Sequence, residues 1–513
     1  MKYSRNFSSK AIAVVLVFVM VGTSFSFVSS AAGVYDIDRG DDTGVNGWDK
    51  VTQYFNNVFY GSGKVSFDVS NKRKEFHSVG VQVADVLVNM DSDDVAKLNY
   101  DFPDAKVDFV SDVSDGLSLY SVEIGVDEVV GGFWDGFLSM LGCSVSPTLA
   151  NSDYVSNVYL NHLFSLDLPS EVVGVKDRLS IIRYNEVGIT TQELRDFYGI
   201  DDVGYSGLGI KVAVLDTGIY LNNTYNSYNS GVNESNFFGL SGVIGDNSTV
   251  DYCGHGSHVC SILAGANVTI DGYDFQGMAP DATVYSIRVL NSKGVGYERD
   301  IVNGLQMAID LDVDIISMSI GGNLPAFSAL YDTVQRARAD GIIIIAAAGN
   351  EKAYISSSPA LWDGVISVGC LTKDGFISFF SNLNFDVAAI GQGVTAPAYS
   401  RNDGIYTWVT MSGTSMSCPL VAGIVADYLE KYPKLKGKGS VIVQDMRDNG
   451  EYANPEVPDN LFSVLTWMND YYYDFPEISV ERLFEDTGSV VVSRSSRMTF
   501  YSINTWRALG KNP

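Results

Sequence analysis

Three short stretches hold side chains whose combination could carry out nucleophilic acyl transfer. Asp216-Thr217-Gly218 follows a β-branched run. Gly254-His255-Gly256-Ser257-His258-Val259 contains two of the four histidines in the chain. Ser412-Gly413-Thr414-Ser415-Met416-Ser417-Cys418-Pro419 opens a long apolar pattern of helical period. A serine hydroxyl is a poor nucleophile until a base removes its proton. An imidazole titrates in the right range to do so and can pass the proton to a leaving amine. A carboxylate fixes the imidazole tautomer and stabilises the imidazolium.

Each stretch alone has a plainer reading. An Asp after a strand is often a turn residue, and Asp-Thr-Gly also occurs in aspartic proteases. Two histidines three apart on one helix could bind a metal, but the His-Glu-x-x-His pattern of a zinc protease is absent. Ser415 could be no more than a helix N-cap. The glycines flanking His255 would let a substrate or another loop come close. Taken together, the three stretches are far more specific than any one.

Such residues need a scaffold. Strands are expected over 209–215, 283–290, 313–319, 342–348, 365–371 and 385–390, and helices over 255–264, 300–310, 326–339 and 415–432. Alternating strands and helices argue for a mostly parallel sheet covered on both faces. Ile342 to Ile345, without polar alternation, suits a central strand buried on both sides. Asp216 would then lie at the carboxyl end of its strand, where open α/β sheets build their sites. Ser415 would sit at a helix start, whose outward N–H groups favour an oxyanion.

The chain order Asp, His, Ser differs from those of chymotrypsin and the α/β-hydrolases and is that of subtilisin. Over about residues 188–432 the chain resembles the subtilisin-like serine proteases, or subtilases. The match lies in Asp216-Thr217-Gly218, His255-Gly256-Ser257-His258 and Gly413-Thr414-Ser415-Met416. The resemblance implies a three-layer α/β/α fold and a secreted endopeptidase acting through Asp216, His255 and Ser415, with His258 non-catalytic. Ala346-Ala347-Ala348-Gly349-Asn350 looks like the family's oxyanion-hole segment, which implies that the Asn350 amide and the Ser415 backbone N–H hold the oxyanion. Ser319-Ile320-Gly321-Gly322, with Gly349, resembles the substrate-binding segment, whose backbone pairs with an extended polypeptide. The specificity pocket is expected near Gly349 and residues 356–359.

Some positions depart from the family pattern. Ser257 replaces the commoner Thr, and Leu420 stands where many members carry His. The resemblance implies no cofactor for the chemistry. A structural calcium lacks recognisable ligands: Tyr225 stands about where relatives have an Asp ligand, and 265–277 holds no calcium loop. The metal content is left open.

The chain begins with Lys2, Arg5 and Lys10, an apolar run from 11 to 21, and small residues Ser29 to Ala32. This reads as an export signal over 1–32; an uncleaved membrane-tethering anchor is the alternative. No later stretch reaches the roughly 18 apolar residues of a spanning helix. Residues 33–187 have an α+β character, with strands at 79–88 and 117–123 and a short helix at 91–98 capped by Asp91 or Ser92. In subtilases this region is a pro-domain, which implies a self-inhibiting, self-cleaved segment; a permanent accessory region is the alternative. His77 and His162 are isolated and read as structural. Residues 188–435 form the expected catalytic domain. Residues 436–513, with Tyr471 to Tyr473 and a strand-like piece at 489–492, form its end or a C-terminal extension.

The 513 residues, 46% hydrophobic, are ample for a large core. Against 34 Lys and Arg stand 61 Asp and Glu, a net charge of −27 that repels phosphate backbones and excludes nucleic acid as a partner class. Five cysteines leave one thiol unpaired in a monomer, and Cys260 and Cys418 read as small core residues. Nothing calls for an oligomer. Asn222, Asn233, Asn247 and Asn267 begin glycosylation sequons. Two rival classes remain: a sedolisin-type acid peptidase, which would carry an acidic residue in place of His255, and a catalytically silent binding module of the same fold.

Overall fold

The computed structural model describes residues 83–114, 116–129, 148–149, 152–166, 188–220, 236–322, 328–400, 405–442, 451–452 and 476–477. The export segment, His77, Cys143, Asn222, Tyr225, Asn233, and the features at 471–473 and 489–492 lie outside these residues.

The first described region is a four-stranded antiparallel sheet. It comprises β1 (Val83–Met90), β2 (Lys106–Ser114), β3 (Leu117–Gly125) and β4 (Val155–Leu160), in the order β2-β3-β1-β4. Helix α1 (Val95–Asp101) follows β1 after a turn whose cap is Asp91, which accepts from Asp93 N at 3.0 Å. Side chains alternate across a strand. Val86, Val88 and Met90 therefore pack with Leu98, Phe102 and Val122 on one face. Leu87 points the other way and joins Leu119 and Tyr159 in a cluster that reaches Ile301, Leu305, Leu330 and Val334. The sheet is thus buried on both faces, the second against the main domain. Strand β5 (Leu163–Ser165) leads on from it.

The main domain begins with β6 (Ile189–Thr190) and α2 (Thr191–Tyr198), whose start is a capping box between Thr190 and Glu193. Then follow β7 (Lys211–Asp216), β8 (Phe237–Ser241), α3 (His255–Ala264), β9 (Val268–Ile270), β10 (Tyr273–Phe275), β11 (Thr283–Arg288) and β12 (Val295–Tyr297). Next come α4 (Glu298–Asp310), β13 (Ile315–Met318), α5 (Ala329–Ala339), β14 (Ile343–Ala347), β15 (Ile366–Leu371) and β16 (Val387–Ile390). The hairpin β17 (Val394–Ser400) and β18 (Ile405–Met411), α6 (Thr414–Lys431), and the short β19 (Glu451–Tyr452) and β20 (Pro476–Glu477) follow.

Seven of these strands run parallel in the order β16-β15-β14-β13-β7-β11-β8, and β20 and β19 extend the β16 edge. Strand parity sorts the core into two layers. Val212, Val214, Ile343 and Ile345 face α3 and α6, packing with Val259, Ile262, Val421 and Ile424. Ala213, Leu215, Ile344 and Ala346 face α4 and α5, packing with Ile301, Leu305 and Val334. This is the expected three-layer α/β/α arrangement, with the all-apolar run in a central strand.

Helix and strand boundaries fall within a few residues of the sequence-based positions. The small antiparallel pieces were not expected. In β9-β10 the two turn residues, Asp271 and Gly272, have φ of 53° and 85°. That Asp-Gly turn is a recognisable hairpin signal, but its flanking strands are too short to stand out.

Candidate active site

Asp216 ends β7, and the register places Leu215 beside Met318 and Met318 beside Ala346. Asp216, Ser319 and the Gly349-Asn350 turn therefore leave adjacent parallel strands at the same carboxyl edge. His255 is the first residue of α3, and Ser415 lies in the first turn of α6. These two helices pack on the same face of the sheet, so both side chains are delivered to that edge.

His255 Nδ1 hydrogen bonds to Asp216 Oδ1 at 2.8 Å and Oδ2 at 3.0 Å, with both residues buried. Burial by itself lowers the imidazole pKa, but the charge and hydrogen bond of Asp216, with Asp251 behind, reverse this and raise it. Nε2 has no hydrogen-bond partner among the described residues. The Ser415 hydroxyl donates to Ser319 O at 3.2 Å, and Ser319 Oγ donates back to Ser415 O at 2.8 Å. In this conformation the hydroxyl is turned to Ser319 rather than to the imidazole. The simple N-cap alternative for Ser415 is corrected: Gly413 occupies the cap position, and Ser415 is the second residue of α6.

Asn350 Oδ1 accepts from Thr414 N at 2.9 Å and Thr414 Oγ1 at 3.1 Å. This fixes the carbonyl end of the amide beside the start of α6 and makes the amino group its donating end. Gly349 has φ of +104°, and a Cβ there would lie 2.4 Å from Asn382 Nδ2, so only glycine fits. Gly322 and Ser358 exchange two backbone hydrogen bonds, at 3.0 and 2.8 Å, and Ser357 N bonds Ala348 O at 2.8 Å. These bonds bring the segment 356–359 beside Gly322 and beside the strand end that leads to Gly349.

Several residues went unnoticed in the sequence. Asp251 is fully buried and its carboxylate anchors the whole entry to α3. Oδ1 accepts from Thr217 Oγ1, Cys253 N and Gly254 N at 2.8–2.9 Å, and Oδ2 from Ser257 N and Oγ at 2.8 Å. Its only sequence signal is an Asp three residues before a glycine at a helix start. Asn382 braces the Gly349-Asn350 turn by accepting from Glu351 N and Ala353 N and donating to Ala348 O. A Cβ on Gly256 would lie 2.3 Å from Gly218 O. That glycine therefore admits the Asp216 loop, and Gly256 N bonds Thr217 Oγ1 at 2.8 Å.

His162 is not isolated, which corrects the sequence reading: its Nδ1 lies 2.5 Å from Glu298 Oε2. Cys260, Cys370 and Cys418 are buried free thiols, and burial pushes Cys370 and Cys418 up to about 11, so both stay protonated. Among the described residues, no three His, Cys, Asp or Glu side chains converge to hold a metal ion. No described helix is long and apolar enough to cross a membrane.

Residues 207–448 match the model of the subtilase family. The chain is 34% identical to subtilisin DY of Bacillus licheniformis over 285 residues, which is 54% of this chain and 92% of that relative. The chain belongs to the subtilase family. As a subtilase it is a serine-type endopeptidase, and subtilases need no cofactor for their chemistry. It is also 32% identical to subtilisin NAT of Bacillus subtilis subsp. natto over 298 residues, covering 55% of this chain and 70% of that relative. M-protease of Shouchella clausii is 31% identical over 281 residues, 53% of this chain and 70% of that protein. All three alignments leave close to half of this subtilase unmatched.

Proposed function

We propose that this subtilase hydrolyses proteins outside the cell through a triad of Asp216, His255 and Ser415. The observation that carries the reading is the buried Asp216–His255 pair with Nε2 left open. An imidazole held in that tautomer can take a proton from Ser415 as the hydroxyl turns from Ser319 to attack the peptide carbonyl. His255 then returns the proton to the leaving amine, and water hydrolyses the acyl-enzyme by the same route. Asn350 and the Ser415 N–H receive the developing oxyanion. An extended polypeptide pairs with backbone at 319–322 and beside Gly349.

The same reading takes residues 1–32 as a removed export signal, 33–187 as a self-cleaved inhibitory pro-domain and 188–435 as the catalytic domain. Strands β19 and β20, on the edge of the main sheet, favour residues 436–513 as its completion. The test is intact mass of the purified chain beside Ser415→Ala. The wild type is expected to lose an N-terminal segment ending near residues 160 to 190, and the variant to keep it. Identical masses would reject self-processing, and undiminished hydrolysis of casein by Ser415→Ala would reject the triad.

A further inference from the structure

Strand β5 lies antiparallel on β12, with Leu163 opposite Tyr297, Phe164 opposite Gly296 and Ser165 opposite Val295. The pairing continues at both ends, by Leu166 N to Gly294 O at 2.9 Å and Glu298 N to His162 O at 2.7 Å. A run from His162 to Leu166 is thus added to the domain through main-chain bonds, a mode that accepts other sequences in the same place. Phe164 is buried, and a Cβ on Gly322 would lie 3.2 Å from its ring, so β5 runs beside the proposed peptide-binding stretch. Strand parity turns His162 to the same side as Phe164, while Leu163 is exposed.

At the far end of this run stand two carboxylates. Glu298 is fully buried, with Oε1 held by Leu330 N at 2.9 Å and Oε2 by His162 Nδ1 at 2.5 Å. Asp332, on α5, accepts from Tyr159 OH at 2.7 Å. Burial raises the Asp332 carboxyl; the Tyr159 hydrogen bond opposes this, and the like charge of Glu298 adds to it. His162 and Tyr159 both belong to the N-terminal region. Another peptide lying on β12 would keep the long backbone contact that His162 N makes to Oε2 at 3.5 Å, but without a donor side chain it would lose the 2.5 Å partner. A buried carboxylate without a partner is costly, so an occupant offering a cation there is favoured.

We propose that Glu298, supported by Asp332, forms an acidic subsite that selects substrates with Arg, Lys or His two residues before the side chain seated against Gly322. This rests on the reading of the 319–322 edge as the substrate groove, and His162 is the residue of the chain itself that fills the subsite.

The experiment uses the purified wild-type chain after intact mass has shown that the segment holding residues 161–166 is shed, with labelled hexapeptides Asn-Xaa-Leu-Phe-Ser-Leu matching those residues. Fluorescence anisotropy compares Arg, norleucine and Glu at Xaa, alongside a casein hydrolysis assay. The Arg peptide is expected to bind about tenfold more tightly than the norleucine peptide. The Glu peptide should bind weakest, a comparison that needs no protein variant. Glu298→Gln should abolish the Arg preference. Equal affinities, a preference that survives Glu298→Gln, or no binding of any peptide would overturn the proposal. Casein hydrolysis with equal affinities defeats the subsite and leaves the protease reading standing; selective binding without hydrolysis does the reverse.

Discussion

His255 is pulled in two directions. Burial favours the neutral ring, while Asp216 and Asp251 favour the imidazolium, and the balance lies above the ordinary imidazole value. The base is active only when neutral. Activity is therefore expected to rise with pH along a limb whose midpoint lies above about 6.5. A kcat/KM profile checks this, and a midpoint below that value would contradict the electrostatics described. Asp216→Asn removes the charge and upsets the Nδ1 tautomer, and should lower kcat by roughly 10⁴-fold. Stopped assays against a peptide amide measure it, and near-normal turnover would remove Asp216 from the triad. Asp251 acts one step back, by tying the Asp216 loop to the start of α3.

Helix α3 carries a second histidine with the opposite character. The Nε2–H of His258 donates to Val394 O at 3.2 Å and Val409 O at 3.0 Å, joining α3 to the β17-β18 hairpin. Burial, with the nearby His255, pushes its pKa down to about 3. The unfolded chain thus takes up this proton at a higher pH than the folded one. The stability contributed is whole above about 6.5 and is lost as pH falls toward 3, by up to about 1.4 kcal/mol per unit. Urea unfolding at pH 7 and pH 5 in a Ser415→Ala background tests the sign. His258→Gln should start less stable at pH 7 and lose less on acidification. An equal loss in both proteins would show that His258 does not titrate this way.

For the whole molecule, the N-terminal sheet is held both by its own core and by bonds to the main domain. Asn161 Oδ1 accepts from Arg299 N at 3.0 Å at the start of α4, where Tyr297 provides no side-chain cap. Arg299 Nη1 reaches Ser121 Oγ at 3.1 Å, and Arg336 Nη1 reaches Val113 O at 2.6 Å and Asp112 O at 3.1 Å. Arg336→Ala should remove the two charge-assisted hydrogen bonds to β2, and that to Gln306 Oε1 on α4, without touching the parallel sheet. Losing roughly 1.5–3 kcal/mol of docking would speed local opening about 10- to 100-fold. Hydrogen exchange of the full Ser415→Ala chain reads this out: β2 and β3 should lose protection while β13 and β14 keep theirs. Unchanged protection in β2 and β3 would show that Arg336 does not hold the sheet.

The sequence alone determined the layered α/β/α plan, and it offered the triad, oxyanion and substrate segments as hypotheses. Catalytic side chains of this kind sit in short glycine-bearing motifs beside strongly periodic elements, and both signals are local. Even the burial of Ile343 to Ala347 was legible, because a strand covered on two faces has no polar positions. Asp251, Asn382 and Thr414 were not, since each acts by accepting or donating across a gap that only folding closes. The same holds for His162. By itself it is one histidine in a largely apolar stretch, and its partner Glu298 lies 136 residues away. Tertiary structure decided that pairing, because β5 must first lie along β12 before an imidazole and a buried carboxylate can meet.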